Sequence, residues 1–188
     1  MKPTKDKIIR ATIDLLQKQG YNATGLNQII RESGAPRGSL YHHFPGGKEE
    51  LFAVAMDLLT DEFIGVAEDI ARKAKTPLAI FKRLIERFIA DLESSDYLEC
   101  SSIAAVALES ATNLPLLQKA ALRLYEKELA FAKSRLCAHG WSERGAAALG
   151  TMLISVLEGA IVLCKAYRNT GPLRRIYREC GVLFKDKK

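Results

Sequence analysis

Three histidines and four cysteines are all that this chain of 188 residues offers for soft-metal chemistry, and neither set is arranged for it. Cys100, Cys137, Cys164 and Cys180 stand far apart, with only His139 near one of them. That excludes zinc-ligand spacing and the dense disulfide framework of a small secreted domain. They read as buried, reduced thiols in apolar helical stretches, and a redox role for Cys100 has no supporting neighbour. His42 and His43 are adjacent, so on a helix they point about a quarter-turn apart, and no third ligand lies near them. No Glu-x-x-His pair occurs, which removes a helical di-iron bundle. There is no Ser/His/Asp set and no glycine loop to cradle phosphate, so an enzyme would have no visible residues to run it and no cofactor is implied. Hairpin dipeptides between alternating apolar runs, fixed-period repeats and low-complexity segments are missing too. The longest apolar stretch, around 152–164, is broken by Ser155, Glu158 and Gly159 and is short for a membrane span. The charged start, Met-Lys-Pro-Thr-Lys-Asp-Lys, runs into an amphipathic helix without a signal-peptide pattern. A cytoplasmic protein with no membrane partner is the expectation.

What remains is ordinary in amount and uneven in placement. Apolar residues at 48% and charged residues at 27% are globular values, and the length suits one or two domains with ample core. The net charge is +6, of which residues 1–48 carry +5: eight Lys or Arg (Lys2, Lys5, Lys7, Arg10, Lys18, Arg31, Arg37, Lys48) against Asp6, Asp14 and Glu32. Residues 49–170 carry −3 and residues 171–188 carry +4. A basic N-terminal module on a mildly acidic body suits a polyanion-binding head, although charge alone leaves a solvated surface as the alternative.

The chain reads as all-α, with about nine helices. The first starts near Thr4, a candidate cap, presents Ile8, Ile9, Ile13, Leu15 and Leu16, and ends at Gly20. The second runs from about Leu26 to Ser33 with Leu26, Ile29 and Ile30 inward. Gly34 supplies a left-handed turn, and Pro36 suits the first position of the third helix, which reaches His43 or Phe44. After Pro45-Gly46-Gly47, a fourth helix runs from Lys48 past Ile70. A fifth opens at Thr76-Pro77 and breaks at Ser94-Ser95-Asp96. A small-residue helix follows over 98–111. Pro115 opens a long helix that closes at His139-Gly140, Ser142-Glu143 opens another that ends near Val162 or Tyr167, and Asn169-Thr170-Gly171-Pro172 turns into the last.

Residues 24–44 carry the function. Two short helices with a glycine between them can cross steeply, as in a helix-turn-helix. Leu40 and Phe44, four apart, can pack on Ile29 and Ile30. Arg37, Tyr41 and His42 project from the other side with Ser39 beside them, donors for bases and phosphates in a major groove. Gly38 leaves room for close approach, and Lys48 adds a cation at the module's edge. Helix-glycine-helix spacing is common, so the pattern alone leaves an ordinary helical corner standing beside the DNA-binding reading.

The stretch Ala23 to Ile30, then Glu32-Ser33-Gly34, Arg37 to Phe44 and Lys48-Glu49-Glu50-Leu51 resembles the N-terminal domain of TetR-family transcriptional regulators over about residues 5–60. It is most similar to the subgroup of the lincomycin-resistance repressor, which shares Gly-Leu-Asn-Gln-Ile and Gly-Lys-Glu-Glu-Leu. Cys100 to Glu109 is similar to that subgroup more faintly. The resemblance implies a three-helix DNA-binding domain over 1–48 and a helical effector-binding and dimerisation domain over 49–188. It implies backbone or flanking-base contacts from Thr24 and Asn27, base-edge contacts from Arg37, Gly38 and Ser39, and mainly phosphate contacts from Tyr41, His42 and Lys48. Gly25 stands where many members have Thr or Ser, Ile30 where many have Ala, and Gly46-Gly47 loosens the approach to the fourth helix.

The resemblance further implies a homodimer on a double-stranded DNA operator, paired through the last two helices. Leu149, Leu153, Val156, Leu157 and Ala160, with Gly150, Gly159, Ile176 and Leu183, are the candidates, and monomer core is their alternative. It also implies a small-molecule effector among the middle helices, where Met56, Phe63, Phe81, Phe88, Tyr125 and Phe131 supply adaptable side chains and Glu109 and Glu158 are polar positions in apolar surroundings. A repressor released by a small apolar or aromatic compound is the expectation. A helical sequestering protein whose head has lost specific DNA affinity is the second reading.

Overall fold

Apolar residues three and four apart make the first helix, α1 (Thr4–Gln19), one-sided. Ile8, Ile9, Ala11, Ile13, Leu15 and Leu16 are buried, while Lys5, Asp6, Arg10, Asp14 and Lys18 face out. The computed structural model describes residues 3–98, 106–108 and 113–185. Thr12 joins the buried face by donating its hydroxyl to the Ile8 carbonyl at 2.8 Å. Thr4 does not cap this helix: it is the first helical residue, and Pro3, at ψ 147°, is the extended residue before it. Gly20, at φ 78°, ends α1.

The remaining helices are α2 (Leu26–Ser33), α3 (Arg37–His43), α4 (Gly47–Lys73), α5 (Pro77–Ser94), α6 (Pro115–Cys137), α7 (Glu143–Tyr167) and α8 (Gly171–Glu179), with a closing 3-10 turn at Cys180–Phe184. Residues 106–108 are helical as well, and the described residues include no strand. Most of the small-residue helix expected over 98–111, with Cys100 and Glu109, lies outside the described residues. The polar breaks do what their chemistry suggests. Thr76 accepts a hydrogen bond from the Ala79 amide at 3.2 Å with Pro77 first in the helix, and Ser142 accepts from Gly145 at 3.0 Å. Each cap stabilises its helix by about 1 kcal/mol.

The chain forms two compact units. The first takes in Met1–Asp61 and Ser101–Leu124, the second Glu62–Cys100 and Tyr125–Lys188, so α4 and α6 each give residues to both. In the first unit, Ile8, Leu16, Ile29, Leu40, Phe44, Leu51, Phe52 and Met56 form one buried cluster with Leu117 and Ala120 of α6. Two polar ties hold α6 to α4 there. Glu49 accepts from the Leu116 and Leu117 amides at 2.6 and 3.4 Å, satisfying first-turn donors that α6 cannot pair internally. Asp57 takes a two-point grip from Arg123 at 2.9 and 2.7 Å.

In the second unit, Phe81, Ile85, Leu92, Leu136, Ala146, Leu149, Leu153, Ala160, Cys164 and Leu173 form the main core. This corrects part of the pairing surface read from the sequence. Leu149, Leu153 and Ala160 are core, and Gly150 lies against Leu129 and Ala132, where an added Cβ would come within 3.0 and 3.4 Å. Leu157, Ile176 and Leu183 pack against the same core. The outward face of α7 is a different one: Met152, Val162, Leu163 and Tyr167 are exposed, with Gly159 between them, and Val182 of the 3-10 turn is exposed too. Residues 145–164 hold a single charge, Glu158. With apolar residues on both faces, α7 is long and apolar enough to cross a membrane by length and composition, contrary to the expectation from the sequence, and a third of that window is buried within the protein.

Candidate nucleic-acid interface and effector cavity

Between α2 and α3 the chain must leave the helical region and re-enter it within three residues. Gly34 does so at φ 61°, ψ 20°, a left-handed conformation that costs other residues about 1–2 kcal/mol. Ser33 reinforces the corner: its hydroxyl donates to the Ile30 carbonyl at 3.2 Å and accepts from the Ala35 amide at 3.3 Å. Pro36, at ψ 139°, is extended and precedes α3 rather than opening it, and its carbonyl accepts from the Ser39 amide at 2.9 Å. Leu40 and Phe44 are buried with Ile29, and Ile30 packs against them, so one side of α3 is fixed.

The other side of α3 is open. Arg37, Gly38 and His42 are exposed, Tyr41 is 46% exposed and Ser39 is half-buried. An added Cβ at Gly38 would meet nothing within 4 Å, so this glycine leaves the backbone approachable from outside. Asn27 is exposed on α2. Lys48, half-buried, places its ammonium over the Tyr21 ring at 4.1 Å and the Phe52 ring at 5.7 Å. Those rings meet edge to face at 4.9 Å, a rigid platform for the cation. Burial and the neighbouring Glu49 carboxylate raise the Tyr21 phenol.

Thr24 departs from its expected place. It is 1% exposed and donates its hydroxyl to the Gly20 carbonyl at 2.8 Å. The side chain therefore ties the end of α1 to the approach of α2 and is withdrawn from the outer surface. The diglycine is also better ordered than its composition suggests. The Gly46 amide donates to Glu50 Oε2 at 2.7 Å, and the Gly47 amide donates to the Phe44 carbonyl at 3.0 Å. His42 and His43 meet edge to face at 5.1 Å, and no cluster of three metal-ligating residues occurs among the described residues.

The second unit holds a cavity of about 90 Å³, space on the order of three waters at liquid density. α4, α5, α6 and α7 wall it with Phe63, Phe81, Phe88, Phe131, Leu84 and Leu157, among others. Phe63 and Phe88 stack at 5.9 Å. Of the side chains picked out from the sequence, Phe63, Phe81, Phe88, Phe131 and Glu158 line it, whereas Met56 is core of the first unit. Tyr125 does not line it but donates to Glu158 Oε1 at 3.4 Å. Sequence reading missed Glu128 and Arg135, which share a face of α6 with Phe131 at intervals of three and four; that spacing was the available signal. Burial, then the charge of Glu158, pushes the Glu128 carboxyl up to about 8.

A short helix fixed on one side by a buried cluster and open on the other, behind a glycine turn, is a helix-turn-helix DNA-binding module. Residues 8–55 match the family model of bacterial regulatory proteins, tetR family, and residues 77–179 match that of the transcriptional regulator LmrA/YxaF-like C-terminal domain. This chain belongs to the TetR family of transcriptional regulators, in its LmrA/YxaF-like branch. It is 31% identical to the uncharacterized regulator YxaF of Bacillus subtilis over 98% of this chain and 96% of that one. It is 32% identical to the regulator LmrA of the same organism over 92% of each. A TetR regulator from Legionella pneumophila shares the fold with a TM-score of 0.87 at 21% identity, covering 98% of this chain and 99% of that one. The expected all-α fold and the non-enzymatic regulator class are both borne out.

Proposed function

We propose that this protein is a ligand-released repressor. Two copies bind a palindromic operator as a homodimer, with residues 1–48 as the reading head and residues 49–188 as the effector-binding and dimerisation body. The observation that carries this is the exposed row of Arg37, Gly38, Tyr41 and His42, with the half-buried Ser39 among them, on a helix whose opposite side is buried. Arg37, Gly38 and Ser39 meet base edges at the start of the recognition helix. Asn27, Tyr41, His42 and Lys48 hold the sugar-phosphate backbone, and Lys48, seated on Tyr21, reaches it with little side-chain freedom to lose. Thr24 acts through the position of α2. The open apolar face of α7, with α8, is the pairing surface that sets two recognition helices about 34–36 Å apart, one turn of DNA.

A small molecule in the cavity of the second unit binds one arrangement of the heads better than the other and shifts the population away from the operator-bound form. α4 and α6, which line the cavity with their later residues and are tied together by Glu49 and Asp57 in their earlier ones, are the elements that carry the change. The test is fluorescence anisotropy with the DNA upstream of the protein's own gene. Salt-sensitive binding that selects this DNA over a scrambled duplex is expected. Equal binding to both would favour a sequestering protein instead.

A further inference from the structure

We infer that the cavity of the second unit selects a monocationic aromatic compound, an amine or quaternary ammonium, whose charge sits between Glu128 and Glu158 and whose body lies along the phenylalanines; this rests on the effector reading of that cavity. The cavity supplies the first observation. It is lined by Phe63, Phe81, Phe88 and Phe131, aromatic rings of the kind that attract a desolvated cation, together with apolar residues from four helices.

The second observation is the position of the acids. Glu128 comes from α6 and Glu158 from α7, and both reach the same lining. Two carboxylates in such surroundings do not ionise together readily, and the Glu128 carboxyl titrates at about 8. Near neutral pH the pair therefore carries close to one negative charge, which one ligand cation neutralises. Tyr125 donates to Glu158 and fixes its direction.

The third observation is Arg135. It lies seven residues beyond Glu128 on α6, about 10 Å along the axis, with its guanidinium over the Phe131 ring at 5.3 Å. The ring of Phe131 thus stands between Glu128 and Arg135 in the order of α6. Its Nε is buried without a hydrogen-bond partner among the described residues. The wall reads acid, aromatic, guanidinium, which suits an elongated molecule with a cationic end and, at the other end, an acceptor oxygen.

Calorimetry on the intact protein with benzyltrimethylammonium and its uncharged isostere neopentylbenzene tests this. The ammonium compound is expected to bind at least about 10-fold more tightly, as for a buried charge pair. Its affinity should rise between about pH 6.5 and about pH 9 as Glu128 loses its proton, since the ligand itself does not titrate. The double variant Glu128→Gln/Glu158→Gln should remove the preference, and Glu128→Gln alone should keep it but remove its rise with pH, both while leaving the helical circular dichroism intact. Leu157→Trp, which fills the cavity, should abolish binding of both compounds. Equal or tighter binding of the neutral isostere, a preference that survives the double glutamine variant, or no binding of either compound would overturn the proposal. Release of operator DNA by neutral aromatics alone would remove the cationic class and leave the effector cavity standing. Failure of any cavity ligand to change operator binding would remove the effector reading itself.

Discussion

The head and the cavity are built from the same kind of amphipathic helix, yet they expose their chemistry in opposite directions. In the head the buried side is the scaffold and the solvent side is the site. Ile29, Leu40 and Phe44 are enclosed, and Arg37, Gly38, Tyr41 and His42 are presented outward. In the second unit the site is inside, and its polar groups, Glu128, Glu158 and Arg135, stand among phenylalanines. A site on the outside of short helices leaves a local signature, because residues 29–44 hold both the anchors and the donors. An internal site is assembled from four helices far apart in sequence, and each contributes residues that look like core.

That contrast accounts for what could be read in advance. The Gly34 turn, the buried and open sides around α3, the start at Thr76-Pro77 and the cap at Ser142 follow from local chemistry and were legible, whereas Thr4 and Pro36 each stand one position away from the helix role read for them. Thr24 was not, because a short polar side chain can serve DNA or a nearby carbonyl, and only the position of Gly20 decides. Leu149, Leu153 and Ala160 were placed on the pairing face because α7 is apolar on both sides, so periodicity alone cannot say which side is core. Glu128 was hidden because an acid on a long amphipathic helix is usually solvated.

The largest effect should come from separating the two faces of α7. Leu163 is 46% exposed, so Leu163→Asp should leave the protomer folded and break pairing. Sedimentation should report a monomer, and operator affinity should fall about 100-fold or more as the second head stops contributing. A dimer with full affinity would place the pairing surface elsewhere.

Glu128→Gln sharpens the contrast from the inside. The Glu128 carboxyl titrates at about 8 in the fold, whereas an unfolded chain's glutamate titrates near about 4.3. Between those values the native state holds a proton that the unfolded state lacks, so this group's contribution is intact below the lower value and is lost as pH rises through the upper one. Removing it should raise Tm at pH 8 by about 3–10 °C, a gain that vanishes as the pH falls toward the unfolded value. Thermal melts across that range check the sign.

Gly25→Ser probes the head's scaffold and should have the smallest effect. Gly25 precedes α2 at φ −100° and ψ 150° without a side-chain cap, and an added Cβ meets nothing within 4 Å. Serine should stabilise the protein by about 0.5–1 kcal/mol, from a new cap and a less free unfolded chain. Urea denaturation reads this directly, and a loss of stability would show that the cap geometry differs.

The most direct measurement is operator affinity against salt, on the upstream DNA and on single-base variants of each half-site, for the unaltered protein, Arg37→Ala and Lys48→Ala. The account predicts that Arg37→Ala loses about 1–3 kcal/mol at one base position and no longer distinguishes bases there. Lys48→Ala should weaken every sequence alike and lower the salt slope by about 0.9. If Arg37→Ala kept the full base preference, the exposed row of α3 would not be the surface that reads DNA.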